Sequence, residues 1–141
     1  MKYMLIMRAT DEARESYEQV PFKEIIEKMG AYNESLTKAG VLLAAEGLAD
    51  AMTDNFLVDF SAEAPIVTDG PYGETHELFS GFWIIQTSSK EEAAEWARRC
   101  PLGPGSTLEV RRVTEMSDFA EFAETDALVN EAAWRAENGQ E

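Results

Sequence analysis

An α+β fold, with antiparallel strands carrying their helices on one face, is what three features of the 141-residue sequence predict. Strand-like and helix-like segments alternate along the chain. Residues 81–87 (GFWIIQT) are dense in aromatic and β-branched side chains, the composition of a packed strand. No repeat, low-complexity run or linker divides the sequence, and a chain of this length can bury roughly two thirds of its unfolded surface in one core.

Residues 2–8 (KYMLIMR) contain no breaker and read as a mostly buried strand. After a polar connection, Pro21 opens a helix that places Phe22, Ile25, Ile26, Met29 and Leu36 on one face at spacings of three or four, and Gly40 ends it. Residues 41–45 turn extended, and residues 55–60 and 64–68 form a hairpin around Ser61. Residues 68–73 (TDGPYG) are too rich in turn formers to continue a strand and must be a shaped loop.

The strand 81–87 is bounded by Gly81, and Ser88 with Glu91 or Ser89 with Glu92 can cap the helix that runs to Arg99 and stops before Pro101. Residues 107–113 give the last strand. The order is β-α-β-β-α-β, a ferredoxin-like arrangement with an elaborated middle hairpin, followed by a helical tail whose Phe119, Phe122 and Trp134 imply docking on the domain. The boundary is drawn at residues 1–113 for the domain and 114–141 for the tail. Tyr3, Leu5, Phe82 and Ile84 together with Trp83 and Ile85 cannot all enter one helix-covered face. A homodimer that buries sheet against sheet, with Trp83 and Ile85 pointing outward, is therefore expected; the alternative is that the tail covers that face.

The composition is that of an ordinary globular protein, 45% hydrophobic and 28% charged. Cys100 is the only cysteine, which excludes an internal disulfide and fits a reducing compartment, so the cytoplasm is the expected location. The apolar start is too short for a signal peptide or a membrane span. With 27 acids against 12 bases, a net charge of −15, the overall field repels phosphate backbones and anionic membranes, and neither nucleic acid nor membrane is an expected partner. The tail holds eight acids and one base, Arg135, a net of −7 that makes it a candidate ligand for a basic protein partner.

The run 67–77 (VTDGPYGETHE), followed by Gly81-Phe82-Trp83-Ile84-Ile85, resembles the hallmark segment of the YCII-related proteins in their DGPF branch. The opening Met1-Lys2-Tyr3-Met4-Leu5-Ile6, the helix exit Ala39-Gly40-Val41-Leu42, Glu46-Gly47-Leu48, Glu92-Ala93-Ala94-Glu95-Trp96-Ala97 and Leu108-Glu109-Val110-Arg111 look like family counterparts, so the resemblance covers residues 1–113. It implies a dimeric α+β barrel. Some members of the family are encoded beside alternative sigma factors, which implies that a regulatory role is open. Tyr72 stands where the branch usually has phenylalanine, and His76 where a lysine is common. A histidine–aspartate pair proposed as catalytic in the wider group uses a histidine on the first helix; the helix 21–39 has none, so that pair does not transfer.

The candidate chemistry clusters beside the Gly81 strand. Asp69 either caps its turn through backbone N–H groups or acts as a general base. His76, the only histidine, is a proton carrier or a solvent-facing loop residue. Glu46, Tyr72 and Glu74 are candidate ligand contacts, polar groups on an apolar wall. One histidine and one cysteine cannot supply a usual zinc set, so no metal is assigned, and Cys100 reads as packing. There is no Walker loop, Rossmann glycine fingerprint or GxSxG elbow, so no cofactor is expected. The reading that results is a small-molecule-binding domain, in its strongest form a cofactor-free acid/base enzyme; the alternative is a non-enzymatic regulatory or interaction module, sigma-factor-associated and using the tail.

Overall fold

β1 (Lys2–Thr10) is the strand on which the sheet is assembled, because it pairs antiparallel on both edges. Along one edge lies β5 (Glu77–Gln86), with Leu5 opposite Trp83 and Tyr3 opposite Ile85. Along the other lies β6 (Thr107–Arg112), with Leu5 opposite Val110. β2 (Leu42–Gly47) adds to the far side of β5 and completes a four-stranded antiparallel sheet in the order β2-β5-β1-β6. This order is compatible with the ferredoxin-like arrangement. The computed structural model describes residues 1–49, 55–69 and 77–140.

The crossover from β1 to β2 holds two helices. The stretch expected to be a polar connection is α1 (Asp11–Glu18), capped by Thr10, whose hydroxyl accepts the Ala13 N–H at 3.0 Å. Only Ala13 of this helix is fully buried, so the apolar periodicity that marks a helix is missing even though the cap and the acidic first turn are present. α2 (Phe22–Lys38) follows Pro21. It ends in a Schellman closure: Gly40, at φ 71°, donates to the Thr37 carbonyl at 3.0 Å, and Val41 donates to the Leu36 carbonyl at 3.1 Å. Leu36 and Val41 are both core residues, which is the apolar contact that accompanies this cap.

The hairpin forms as expected, from β3 (Phe56–Asp59) and β4 (Ile66–Asp69), with the Asp59 carboxylate accepting the Ser61 N–H and hydroxyl at its turn. It is a separate two-stranded sheet, and Phe56, Phe60, Ile66 and Val67 are exposed. α3 (Lys90–Arg98) is capped by Ser89, which accepts the Glu92 N–H at 3.1 Å; the Glu92 carboxylate in turn accepts the N–H and hydroxyl of Ser88, which hold its pKa below the ordinary carboxylate range. Beyond β6, a 3-10 turn (Met116–Phe122) and α4 (Asp126–Glu137) form the tail. Arg112 clamps Asp118 with two bonds of 2.8 and 2.9 Å at the base of the tail. No side chain in either tail element is buried, and Phe122 and Trp134 are each more than half exposed.

The core lies on one face of the sheet. Tyr32 and Leu36 of α2 and Ala93 of α3 pack on Tyr3, Leu5, Trp83 and Ile85. Two expectations are corrected here. Trp83 and Ile85 do not point outward: they sit directly opposite Leu5 and Tyr3, and residues opposed across an antiparallel pair share a face. Met4, Ile6, Phe82 and Ile84 take the other face. Nor does Gly81 bound the strand. β5 runs through it after a bulge in which Ser80 is the extra residue between the pairs Met7–Gly81 and Arg8–Phe79. Ser80 seals the bulge by donating its hydroxyl to the Met7 carbonyl at 3.1 Å.

A Cβ at Gly81 would lie 3.0 Å from the Glu46 carbonyl oxygen and 3.3 Å from Met7 Cε. Met7 can swing aside, but the backbone of β2 cannot without disturbing its ladder. Gly81→Ala is expected to destabilise the fold by about 1–3 kcal/mol, the usual range for overpacking. The reading is the urea midpoint, with Gly30→Ala as the control that has nothing within 4 Å; equal midpoints for the two variants would show that the β2–β5 approach is not tight.

Candidate functional site

Trp83 is nearly fully buried on β5, and an indole N–H removed from water needs an acceptor. It donates Nε1–H to Asn33 Oδ1 at 2.7 Å. An indole nitrogen can only donate, so this bond fixes which end of the Asn33 amide is oxygen. Tyr32, the preceding residue of α2, meets the same indole edge to face at 5.7 Å between ring centroids and donates its hydroxyl to the Trp96 carbonyl at 3.0 Å. Burial, and next the nearby Cys100 thiol, push the Tyr32 phenol up, so it stays protonated. Cys100 is pushed up to about 12 by burial and packs against the core.

From this point a groove runs between α2 and the sheet toward α1. Its larger part is a cavity of about 660 Å³, bordered by Met7 and Ala9 of β1, Tyr17 of α1, and Phe22, Ile25 and Met29 of α2. Its smaller part, of about 140 Å³, is bordered by Asn33, Ala45, Gly47, Gly81 and Trp83. Met7 and Met29 line both. Met29 and Asn33 are one turn apart, which puts them in register along the same side of the helix. The walls are apolar, and the polar groups stand at the two ends. Asn33 is at one. At the other are Arg14, held near Asp11 at 3.4 Å, and Glu18, with the Tyr17 hydroxyl accepting the Gly103 N–H at 3.2 Å. Arg8, which also borders the larger cavity, is tied to Glu109 by two bonds of 2.6 and 2.8 Å.

Of the expected site residues, Asp69 and Glu46 are described. Asp69 is exposed at the end of β4, opposite Phe56, and borders neither cavity. Glu46 borders the smaller cavity, but it lies opposite Phe82, so strand alternation directs its carboxylate to the face away from α2. Tyr72, Glu74 and His76 lie outside the described residues. The sequence reading missed Asn33, although a signal existed. Asn33 interrupts the apolar stripe of α2 one turn after Met29, on the side that faces a strand carrying a tryptophan.

Chemically, among the described residues, the groove offers an apolar surface with an oriented amide at its narrow end and paired arginines, Arg8 and Arg14, on its wide part. The Ser80 hydroxyl beside it is already committed to Met7. Among the described residues, no helix is long and apolar enough to cross a membrane.

Comparison with known proteins agrees with this architecture. An uncharacterised protein of Rhizobium meliloti (strain 1021) is 26% identical over 98 residues, covering 70% of this chain and 78% of that protein. The model of the YCII-related domain matches residues 1–117, reaching from β1 through the base of the tail. With more than four fifths of its length matched, the chain belongs to the YCII-related family.

Proposed function

We propose that this protein binds an apolar small molecule in the groove beneath α2. The observation that carries the reading is the cavity of about 660 Å³ with its apolar walls, a size and character typical of ligand sites. Within the family we place the chain in the DGPF branch, on Asp69-Gly70-Pro71-Tyr72-Gly73. Asp69 and His76 as acid–base groups, and Glu46, Tyr72 and Glu74 as ligand contacts, belong to the fuller form of the proposal. Its support is that segment 70–76 leads into β5, whose Ser80 and Gly81 line the groove.

Nile red, a neutral apolar dye, tests the groove. Saturable fluorescence enhancement at one dye per chain is expected, and Met29→Trp, which fills the neck shared by both cavities, should weaken it at least tenfold. Dye binding that never saturates, or that ignores the substitution in a variant of unchanged circular dichroism, would refute the groove.

The same proposal includes a homodimer in cytoplasmic solution, two sheets meeting face to face as a dimeric α+β barrel. Its support is the apolar face of Met4, Ile6, Phe82 and Ile84, which lies opposite the face that α2 and α3 cover. A stable interface of this kind removes roughly 800 Å² per partner from water. Light scattering after gel filtration should give twice the 15.7 kDa chain mass, and Ile84→Asp should halve it. A monomeric unmutated chain would sink the barrel.

A second reading, from a different class, makes the tail a docking element for a basic partner protein. Its support is the tail's net charge of −7 together with Phe122 and Trp134 exposed in the single chain. Recovery of the partner from cell extract should fall when the chain ends at Val113 and when Phe122 and Trp134 are both changed to serine; equal recovery in all three cases would dismiss it.

A further inference from the structure

Asn33 is a polar group of the smaller cavity whose orientation is fixed independently of any ligand. Asn33 spends its Oδ1 on the Trp83 indole, and that bond cannot be reversed because the indole has no acceptor to offer. The amide nitrogen, with its two hydrogens, is not used by that bond, and Asn33 borders the smaller cavity. The buried side-chain polar atoms described all have partners, so this NH2 is not sealed in the core. It is a donor held in place at the end of an apolar channel, beside Met29 and Gly81.

What such a donor selects follows from charge. Among the described residues, the smaller cavity has no lysine or arginine on its border and one ionisable residue, Glu46; the arginines of the larger part, Arg8 and Arg14, are paired with Glu109 and Asp11. The whole chain carries −15. A carboxylate or phosphate would enter against this field and find a neutral amide where it needs a cation. An ammonium group would meet N–H hydrogens instead of acceptor oxygens. A neutral carbonyl oxygen meets neither obstacle, and it accepts from an amide N–H without leaving a second polar group unpaired.

We infer that the groove takes a neutral carbonyl compound with an apolar body, its oxygen accepting from Asn33 Nδ2 and its body lying along Met7 and Met29. The inference rests on the groove reading above and adds to it the head group and the residue that selects it.

Three compounds built from a phenyl ring and a propyl chain separate the terms: butyrophenone with a neutral carbonyl between the two, butylbenzene with a methylene in its place, and phenylbutyrate with an anionic carboxylate at the end of the chain. Each competes with Nile red for the full-length protein. Butyrophenone should bind about threefold to tenfold more tightly than butylbenzene, the range for one net hydrogen bond, and more tightly still than phenylbutyrate.

The decisive variant is Asn33→Asp. It keeps an oxygen to accept from Trp83 and replaces the NH2 with a second oxygen, so the indole stays paired and the fold is preserved. In this variant the preference for butyrophenone over butylbenzene should vanish, while butylbenzene affinity stays within twofold; a merely structural role for Asn33 would move both affinities together. Equal binding of all three compounds to the unmutated protein, or a ketone preference that survives Asn33→Asp, would overturn the inference and leave the groove standing. Failure of all three to displace a dye that binds saturably and responds to Met29→Trp would overturn the inference alone.

Discussion

The hydrogen bond between Trp83 and Asn33 is the constraint on which the arrangement of this molecule turns. A tryptophan on a central strand contributes more apolar surface to the core than any other residue could, but it brings an N–H that must not be stranded. The acceptor comes from α2, so the demand of one buried polar atom sets how that helix lies across the sheet. Tyr32 closes against the same indole from its edge and reaches on to the Trp96 carbonyl of α3. One side chain of β5 thereby ties both covering helices to the strand pair at the centre of the fold. The groove is a consequence: α2 is pinned at Tyr32, Asn33 and Leu36, while its first two turns, from Phe22 to Met29, stand over α1 and the end of β1 with space beneath them.

The second organising fact is that the sheet is apolar on both sides while its helices cover one. Leu5, Trp83 and Ile85 are buried under α2 and α3; on the reverse Ile6 is buried, while Met4, Phe82 and Ile84 are only half-buried. Charge is kept to the margin of that reverse face, where Arg8 and Glu109 pair across β1 and β6. The edge strand β6 ends in Arg111 and Arg112, charges of the kind that discourage an edge from pairing further. The hairpin of β3 and β4 leaves Phe56, Ile66 and Val67 exposed, since two strands alone cannot bury both of their faces.

The elements were legible in the sequence wherever a local signal and the tertiary structure agreed. Gly40 is an example, for a glycine after a helical stripe has one common use and the positive φ confirms it. β1 and β5 announced themselves by composition. Their facing did not, because Tyr3-Met4-Leu5-Ile6 and Phe82-Trp83-Ile84-Ile85 are apolar at every position, and period-two alternation is the signal that assigns a face. Register decides it, and register is a long-range property. α1 was hidden for the opposite reason: it buries little beyond Ala13, so its helical character rests on a cap and on tertiary support. Gly81 looked like punctuation because a glycine at a strand end and a glycine at a bulge read alike until the partner strand is known.

The groove was less legible than the fold because charged residues stand out in a sequence and an amide does not. Acids and a lone histidine are conspicuous in a sequence, since their ionisation makes them candidates for proton transfer in any setting. An asparagine acquires a role only from its neighbours. Here the neighbour removes its ambiguity: with the oxygen held by Trp83, an otherwise reversible amide becomes a donor of fixed direction. On the proposed reading such a group favours a ligand with the matching oxygen, while the surrounding methionines adapt to many shapes. In the proposed groove, shape tolerance and polar selectivity would thus come from different residues along one helix, Met29 and Asn33, a single turn apart.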